Sequence, residues 1–120
     1  GIDIGTGGSR ALLVDQRGRV RAGFTAPHQD MRMERPLWAE QDPGDWWSAA
    51  QKAIRGVLAE AGVPGSQVRG VGLSGQMHGL VILDNADCVI RPSLIGGQLQ
   101  KIGCNVPANR NGVIVQFWPR

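Results

Sequence analysis

Cysteine is scarce. Cys88 and Cys104 are the only two in 120 residues, and their spacing matches no common zinc pattern. Two thiols are too thin a basis for a disulfide framework, so free thiols in a reducing compartment are expected. No apolar run approaches the ~20 residues that cross a bilayer, and no basic segment leads into an apolar one at the front. The expectation is a cytoplasmic protein with no membrane partner. Charge is also sparse: Asp, Glu, Lys and Arg make up 19%, and 13 basic residues against 10 acidic ones leave a formal +3. Eleven of the basic residues are arginines, dispersed rather than gathered into a tract. That pattern leaves no footprint for a nucleic acid. The length excludes a self-contained two-domain enzyme.

Glycine, in contrast, is abundant, with 18 positions, about twice ordinary usage. An apolar share of 42% argues against a disordered acidic tail or a collagen-like repeat. The chain opens on Gly1, inside a strand-like run, as though a residue or two were missing in front.

Gly1-Ile2-Asp3-Ile4-Gly5 alternates like a short strand ending near an acid, and Ala11-Leu12-Leu13-Val14 reads as a second strand. The turn signal Asp15-Gln16-Arg17-Gly18 returns the chain into a third strand over residues 20–24. These three form an antiparallel meander. Residues 25–41 show no clear period and are expected as a long surface connection anchored by a partly buried Trp38. The signals then sharpen. Asp42 suits an N-cap, Pro43 suits N1, and Asp45 can complete a weaker capping box. Trp47, Ala50, Ile54, Val57, Leu58 and Ala61 follow at helical spacing, and Gly62 stands where a C′ glycine belongs. The helix is predicted over residues 43–61, with Trp47 on its core face.

Residues 68–73 read as the next strand, broken by Gly70 and Gly72, which suggests a close neighbour. Residues 80–83 and 88–90 suggest a hairpin. Strand, connection, helix and strand in that order predict a parallel strand beside the meander, hence a mixed α/β sheet with the helix across one face. Residues 113–117 could form a strand, but nothing upstream sets a partner. A boundary is placed near residue 95: 1–95 as one partial domain and 96–120 as a tail expected to be poorly ordered.

Two segments can carry chemistry. In Asp3-Ile4-Gly5-Thr6-Gly7-Gly8-Ser9, backbone N–H groups and the Thr6 and Ser9 hydroxyls can surround phosphate oxygens. Asp3 can hold a hydrated Mg2+ that those oxygens share, and Arg10 can add positive charge. The bend also reads as a plain glycine-rich hairpin, and both readings stand at this point. No Gly-x-x-x-x-Gly-Lys-Ser/Thr is present, and the glycines open a strand rather than a helix, which disfavours P-loop and Rossmann proteins. The second segment runs from Ser74 to Gly79. Gln76 and His78 can both give and accept hydrogen bonds to sugar or polyol hydroxyls, or else sit on the surface without a role. Met77 equally reads as a plug for the core, and the tryptophans as core rather than sugar-stacking residues.

Gly1 to Ala11 resembles the opening of sugar kinases of the FGGY family. Pro36 to Pro43, Trp46-Trp47, Gly72 to Gly79 and Arg91 to Ile95 resemble its xylulokinase branch in particular. The resemblance implies the N-terminal portion of a ribonuclease H-like, actin-type ATPase fold, and transfer of the ATP γ-phosphoryl to a sugar hydroxyl. By position it implies Asp3 beside Mg2+ and the transferred phosphate, and Thr6, Gly7, Gly8 and Ser9 in the phosphate loop. It implies Met77 and His78, next to Gln76, against D-xylulose. The general-base aspartate belongs to a later part of the family polypeptide with no counterpart here, so these 120 residues are expected to be inactive alone. After Ile95 the family pattern of Trp and an Asp-x-Arg-like segment gives way to Gly96-Gly97-Gln98-Leu99-Gln100. Other pentuloses or polyols as acceptors remain open, as does a non-enzymatic fragment that binds phosphate or sugar weakly. An exposed sheet face would favour self-association.

Overall fold

The meander begins where the turn residues put it. In the computed structural model, which describes residues 1–34, 36, 38–75, 79–95 and 113–116, β1 (Ile2–Ile4) pairs antiparallel with β2 (Gly8–Val14), and β2 with β3 (Val20–Pro27). The β2–β3 turn closes on Asp15, whose carboxylate accepts the backbone N–H groups of Arg17 and Arg19 at 2.9 and 3.0 Å. Gly18 takes φ 76° there, a conformation that favours glycine.

Two compact units share the chain: Gly1–His28 with Asp45–Gly75, and Gln29–Gly44 with Gln76–Arg120. The first holds a four-stranded mixed sheet in the order β3-β2-β1-β6, with β6 (Leu73–Gly75) parallel to β1. Helix α1 (Pro43–Ala61) has the predicted bounds. Its first turn is capped by Asp42 Oδ1, which accepts the Gly44 N–H at 2.8 Å. Its last turn closes with Gly62 at φ 63°, the Gly62 N–H on the Ala59 carbonyl and the Val63 N–H on the Leu58 carbonyl, the two bonds of a Schellman ending. Ala49, Ala53 and Val57 of α1 pack against Ala11, Ala22 and Ala26 of β2 and β3. Alanine against alanine brings helix and sheet backbones close. Gly56 takes this further, since a Cβ built there would lie 2.4 Å from Phe24 Cγ.

Three expectations need correcting. Trp47 does not face the core: it is 64% exposed, whereas Trp46 is 7% exposed. The buried stripe runs Trp46, Ala49, Ala50, Ala53 and Val57, and the part of it that meets the sheet is set by the small Ala49 and Ala53, which permit close approach. The strand expected over residues 68–73 is largely irregular; a 3-10 turn spans Gly65–Gln67, and only Leu73–Gly75 joins the sheet. A Cβ on Gly70 or Gly72 would meet no described atom within 4 Å, so close packing does not explain those glycines.

The connection over residues 25–41 is more ordered than expected. It carries the end of β3, then β4 (Arg32–Met33) and β5 (Ala39–Gln41). Trp38 remains 47% exposed. In the second unit these strands join β7 (Gly79–Leu83), β8 (Ser93–Ile95) and β9 (Val113–Gln116) in the order β4-β5-β8-β7-β9. The segment 113–116 thus has a partner, pairing antiparallel with β7. The predicted hairpin after β7 is present: Leu83 bridges to Val89, the Asp84 N–H donates to the Cys88 carbonyl, and the Ile90 N–H donates to the Ile82 carbonyl. The rest of the tail, residues 96–112 and 117–120, lies outside the described residues. Among those described, no helix is long and apolar enough to cross a membrane.

Candidate functional site

The register of β1 decides what its end can offer. Ile2 and Ile4 sit opposite Ala11 and Ser9 on the side packed by α1, so Asp3 belongs to the other face. There Asp3 stands between Arg10 of β2 and Ser74 of β6, with Thr25 of β3 beyond Arg10. All four are exposed. A carboxylate beside a guanidinium and two hydroxyls makes a polar row across an open sheet face.

The bend begins two residues after Asp3. The Gly5 N–H donates to the Gly8 carbonyl at 2.9 Å, closing a tight loop with Thr6 and Gly7 exposed at its crown. None of Gly5, Gly7 and Gly8 has positive φ. Gly5 and Gly8 are needed for space rather than for a left-handed backbone. A Cβ on Gly8 would fall 2.8 Å from the Ala26 carbonyl oxygen, and one on Gly5 3.3 Å from the Gly8 carbonyl oxygen. A Cβ on Gly7 would meet nothing within 4 Å. Gly7 therefore leaves open space where a ligand can approach the backbone.

Ser9 does not sit in the loop. It is fully buried as the second residue of β2, with its Oγ 2.9 Å from His28 Nε2 and 3.4 Å from the Trp46 carbonyl oxygen, to which it donates. His28 also reaches the crown: its backbone N–H donates to the Gly7 carbonyl at 3.1 Å, and its Nδ1 lies 3.4 Å from the Thr6 carbonyl. His28 was not foreseen. It stands just past Pro27 in a stretch without periodicity, and only the sheet register brings it to the bend.

The second segment is described only up to its threshold. Because β1 and β6 run parallel with Ile4 opposite Gly75, the Gly5–Gly7 bend and the exit of β6 leave the sheet from the same end. Gln76, Met77 and His78 follow that exit but lie outside the described residues. Among the described residues, no cluster of three His, Cys, Asp or Glu side chains is arranged to hold a metal ion. A single carboxylate suits Mg2+ that takes its remaining ligands from water and phosphate oxygens.

Two further motifs meet each other within the second unit. Gln41 is in register with Ser93, and Arg91 donates to Glu40 Oε1 at 2.5 Å. The segments around Glu40 and Arg91 therefore stabilise a sheet.

Comparison with known proteins accords with this geometry. The N-terminal domain model of the FGGY family of carbohydrate kinases matches residues 1–100. The chain is 40% identical over 95 residues to a xylulose kinase of Klebsiella pneumoniae, covering 79% of this chain and 19% of that protein. It is 37% identical over 87 residues to the L-xylulose/3-keto-L-gulonate kinase of Escherichia coli, covering 72% of this chain and 17% of the other. The solved xylulose kinase of Rhodospirillum rubrum superposes with a TM-score of 0.70 at 33% identity, over 79% of this chain and 19% of that one. The chain thus spans about a fifth of the length of its relatives. Its mixed sheet, with α1 on one face, is the N-terminal portion of the ribonuclease H-like, actin-type ATPase fold of these kinases. The strand order and the family match over most of its length establish that this chain belongs to the FGGY family of carbohydrate kinases.

Proposed function

We propose that this chain is the nucleotide-phosphate half-site of a xylulokinase-type enzyme, whose reaction moves the γ-phosphoryl of ATP to a hydroxyl of D-xylulose. The observation that carries the proposal is the shared exit of β1 and β6, which brings the end of β6 at Gly75 to the same end of the sheet as the Gly5–Gly8 bend. Residues 1–95 form the partial kinase domain in this reading and residues 96–120 a divergent tail, in a cytoplasmic protein.

The residues divide the work by position. Backbone amides of the crown, Gly7 first, receive phosphate oxygens, and Thr6 adds its hydroxyl. Gly8 lets the bend lie against β3, while Ser9 fixes its base to α1. Asp3 is the residue that would hold Mg2+, which when bound neutralises phosphate charge. Arg10, opposite Asp3, balances the carboxylate and adds positive potential. Gln76, Met77 and His78 orient the sugar, whose hydroxyls match the paired donor and acceptor character of glutamine and histidine. Orientation and electrostatics are what this part contributes; none of these residues takes the hydroxyl proton. The isolated chain therefore binds but does not turn over.

Calorimetric titration of the chain with Mg-ATP and then with a panel of pentuloses and polyols tests this reading. Binding of Mg-ATP and preference for D-xylulose are expected, with no ADP formed. Preference for another acceptor would support the second reading, a kinase of a different pentulose or polyol, which the likeness to the L-xylulose/3-keto-L-gulonate kinase favours. Binding of neither ligand would reduce the chain to a remnant.

A further inference from the structure

We infer that His28 is a positioning residue that clasps the phosphate bend and ties it to α1. The inference deepens the phosphate-site reading above and rests on it for its functional meaning, but its geometry is independent. Three contacts converge from one residue: backbone N–H to the Gly7 carbonyl at 3.1 Å, ring Nδ1 to the Thr6 carbonyl at 3.4 Å, and ring Nε2 to Ser9 Oγ at 2.9 Å. A carbonyl only accepts, so in the neutral ring Nδ1 carries the proton. Nε2 is then the acceptor, and the Ser9 hydroxyl hydrogen is shared between it and the more distant Trp46 carbonyl at 3.4 Å. The chain of bonds runs from the crown through His28 to fully buried Ser9 and on to the first turn of α1.

The mechanical consequence follows from the crown's own weakness. Within the bend the Gly5 N–H donates to the Gly8 carbonyl, and the glycines impose few steric limits. Without an outside support such a loop samples many conformers, and a phosphate would have to order it on binding. His28 supplies that support from just past the end of β3, on the two carbonyls between which the Gly7 amide must be presented. With Thr6 and Gly7 carbonyls held by His28, the intervening N–H is fixed in direction.

Amide hydrogen exchange on the full 120-residue chain tests the clasp, together with its affinity for inorganic phosphate. In His28→Ala, exchange at the Gly5 amide and at the residue-28 amide, which are bonded to the Gly8 and Gly7 carbonyls, is expected to quicken about tenfold, as for one or two lost hydrogen bonds. Amides of central β2 and β3 should keep their protection. Phosphate affinity should fall in parallel, and His28→Asn, whose amide can still reach the Thr6 carbonyl, should recover most of both. Ser9→Ala removes the tether to α1 with little change of bulk and should show a smaller quickening, which keeps the test available if His28→Ala fails to fold. Unchanged bend exchange in these variants, an even loss of protection across the first unit, or a loosened bend with unchanged phosphate affinity would each overturn the inference. If the unaltered chain ignores phosphate, the phosphate-site reading fails, while the exchange data still decide whether the clasp exists.

Discussion

Gly7 and Gly8 are neighbours with opposite reasons for being glycine. A methyl on Gly8 would collide with the Ala26 carbonyl, whereas one on Gly7 would enter open space. Gly8→Ala is therefore expected to destabilise the first unit by about 1–3 kcal/mol, the usual cost of overpacking. Gly7→Ala should leave stability unchanged or raise it by up to about 1 kcal/mol, yet weaken Mg-ATP binding by about tenfold, or 1.4 kcal/mol. Thermal melts and titration of both variants check the pair. A destabilised Gly7→Ala would show that its freedom serves folding rather than a ligand. The sequence marked both residues for the site without separating them, because glycine looks alike whether it makes room for a strand or for a phosphate. Ser9 shows the same limit: its hydroxyl suggested a loop donor, and only the strand register reveals it as buried.

Among the elements, α1 was the most legible, because its ends carry chemistry that composition alone identifies: Asp42 before Pro43 and Gly62 after Ala61. Its inner face was not. Hydropathy favours Trp47, but the surface that meets β2 and β3 is built from Ala49, Ala53 and Gly56, with Phe24 against the glycine. Gly56→Ala should accordingly destabilise by about 1–3 kcal/mol through overpacking, even though alanine is the better helix former by about 1 kcal/mol. A double-mutant cycle with Phe24→Ala measures it; the penalty should vanish when the ring is gone. The β2–β3 turn makes a pH prediction. The Arg19 backbone N–H holds the Asp15 carboxyl below its ordinary value against desolvation, which is second in size and raises it, with the Arg19 side chain, the Arg17 N–H and the charge of Arg21 adding to the lowering. The folded value is depressed, so its contribution is complete above the ordinary carboxylate value and is lost as pH falls through the lower folded one. Carboxyl carbon titration should place the Asp15 midpoint below that of an ordinary aspartate; a midpoint at or above the ordinary one would contradict the turn geometry. The second sheet escaped sequence reading because β4, β5 and β8 have only two or three residues each, too few for alternation to register.

For the molecule as a whole, the meander and its parallel fourth strand could be read from turns and order, but the fold's division into two units interleaved along the chain could not. Nothing local announces that residues 29–44 and 76–120 belong together; pairings such as Gln41 with Ser93 do. The sheet of the first unit ends on β6, where Leu73 is 76% exposed and the preceding Val71 is 66% exposed. An edge strand with apolar neighbours favours pairing between copies. Sedimentation velocity should therefore show concentration-dependent association, relieved in Leu73→Lys. A single monomeric boundary at all concentrations would contradict it.

The central claim is that the turn following Asp3 receives the phosphates of a nucleotide. Amide spectra of 15N-labelled chain recorded during addition of Mg-ATP test it most directly. Saturable shifts centred on Thr6, Gly7 and Gly8 are expected, and their loss in Asp3→Asn with the rest of the spectrum intact. Shifts that bypass these three amides, or that are identical without the Asp3 carboxylate, would contradict it.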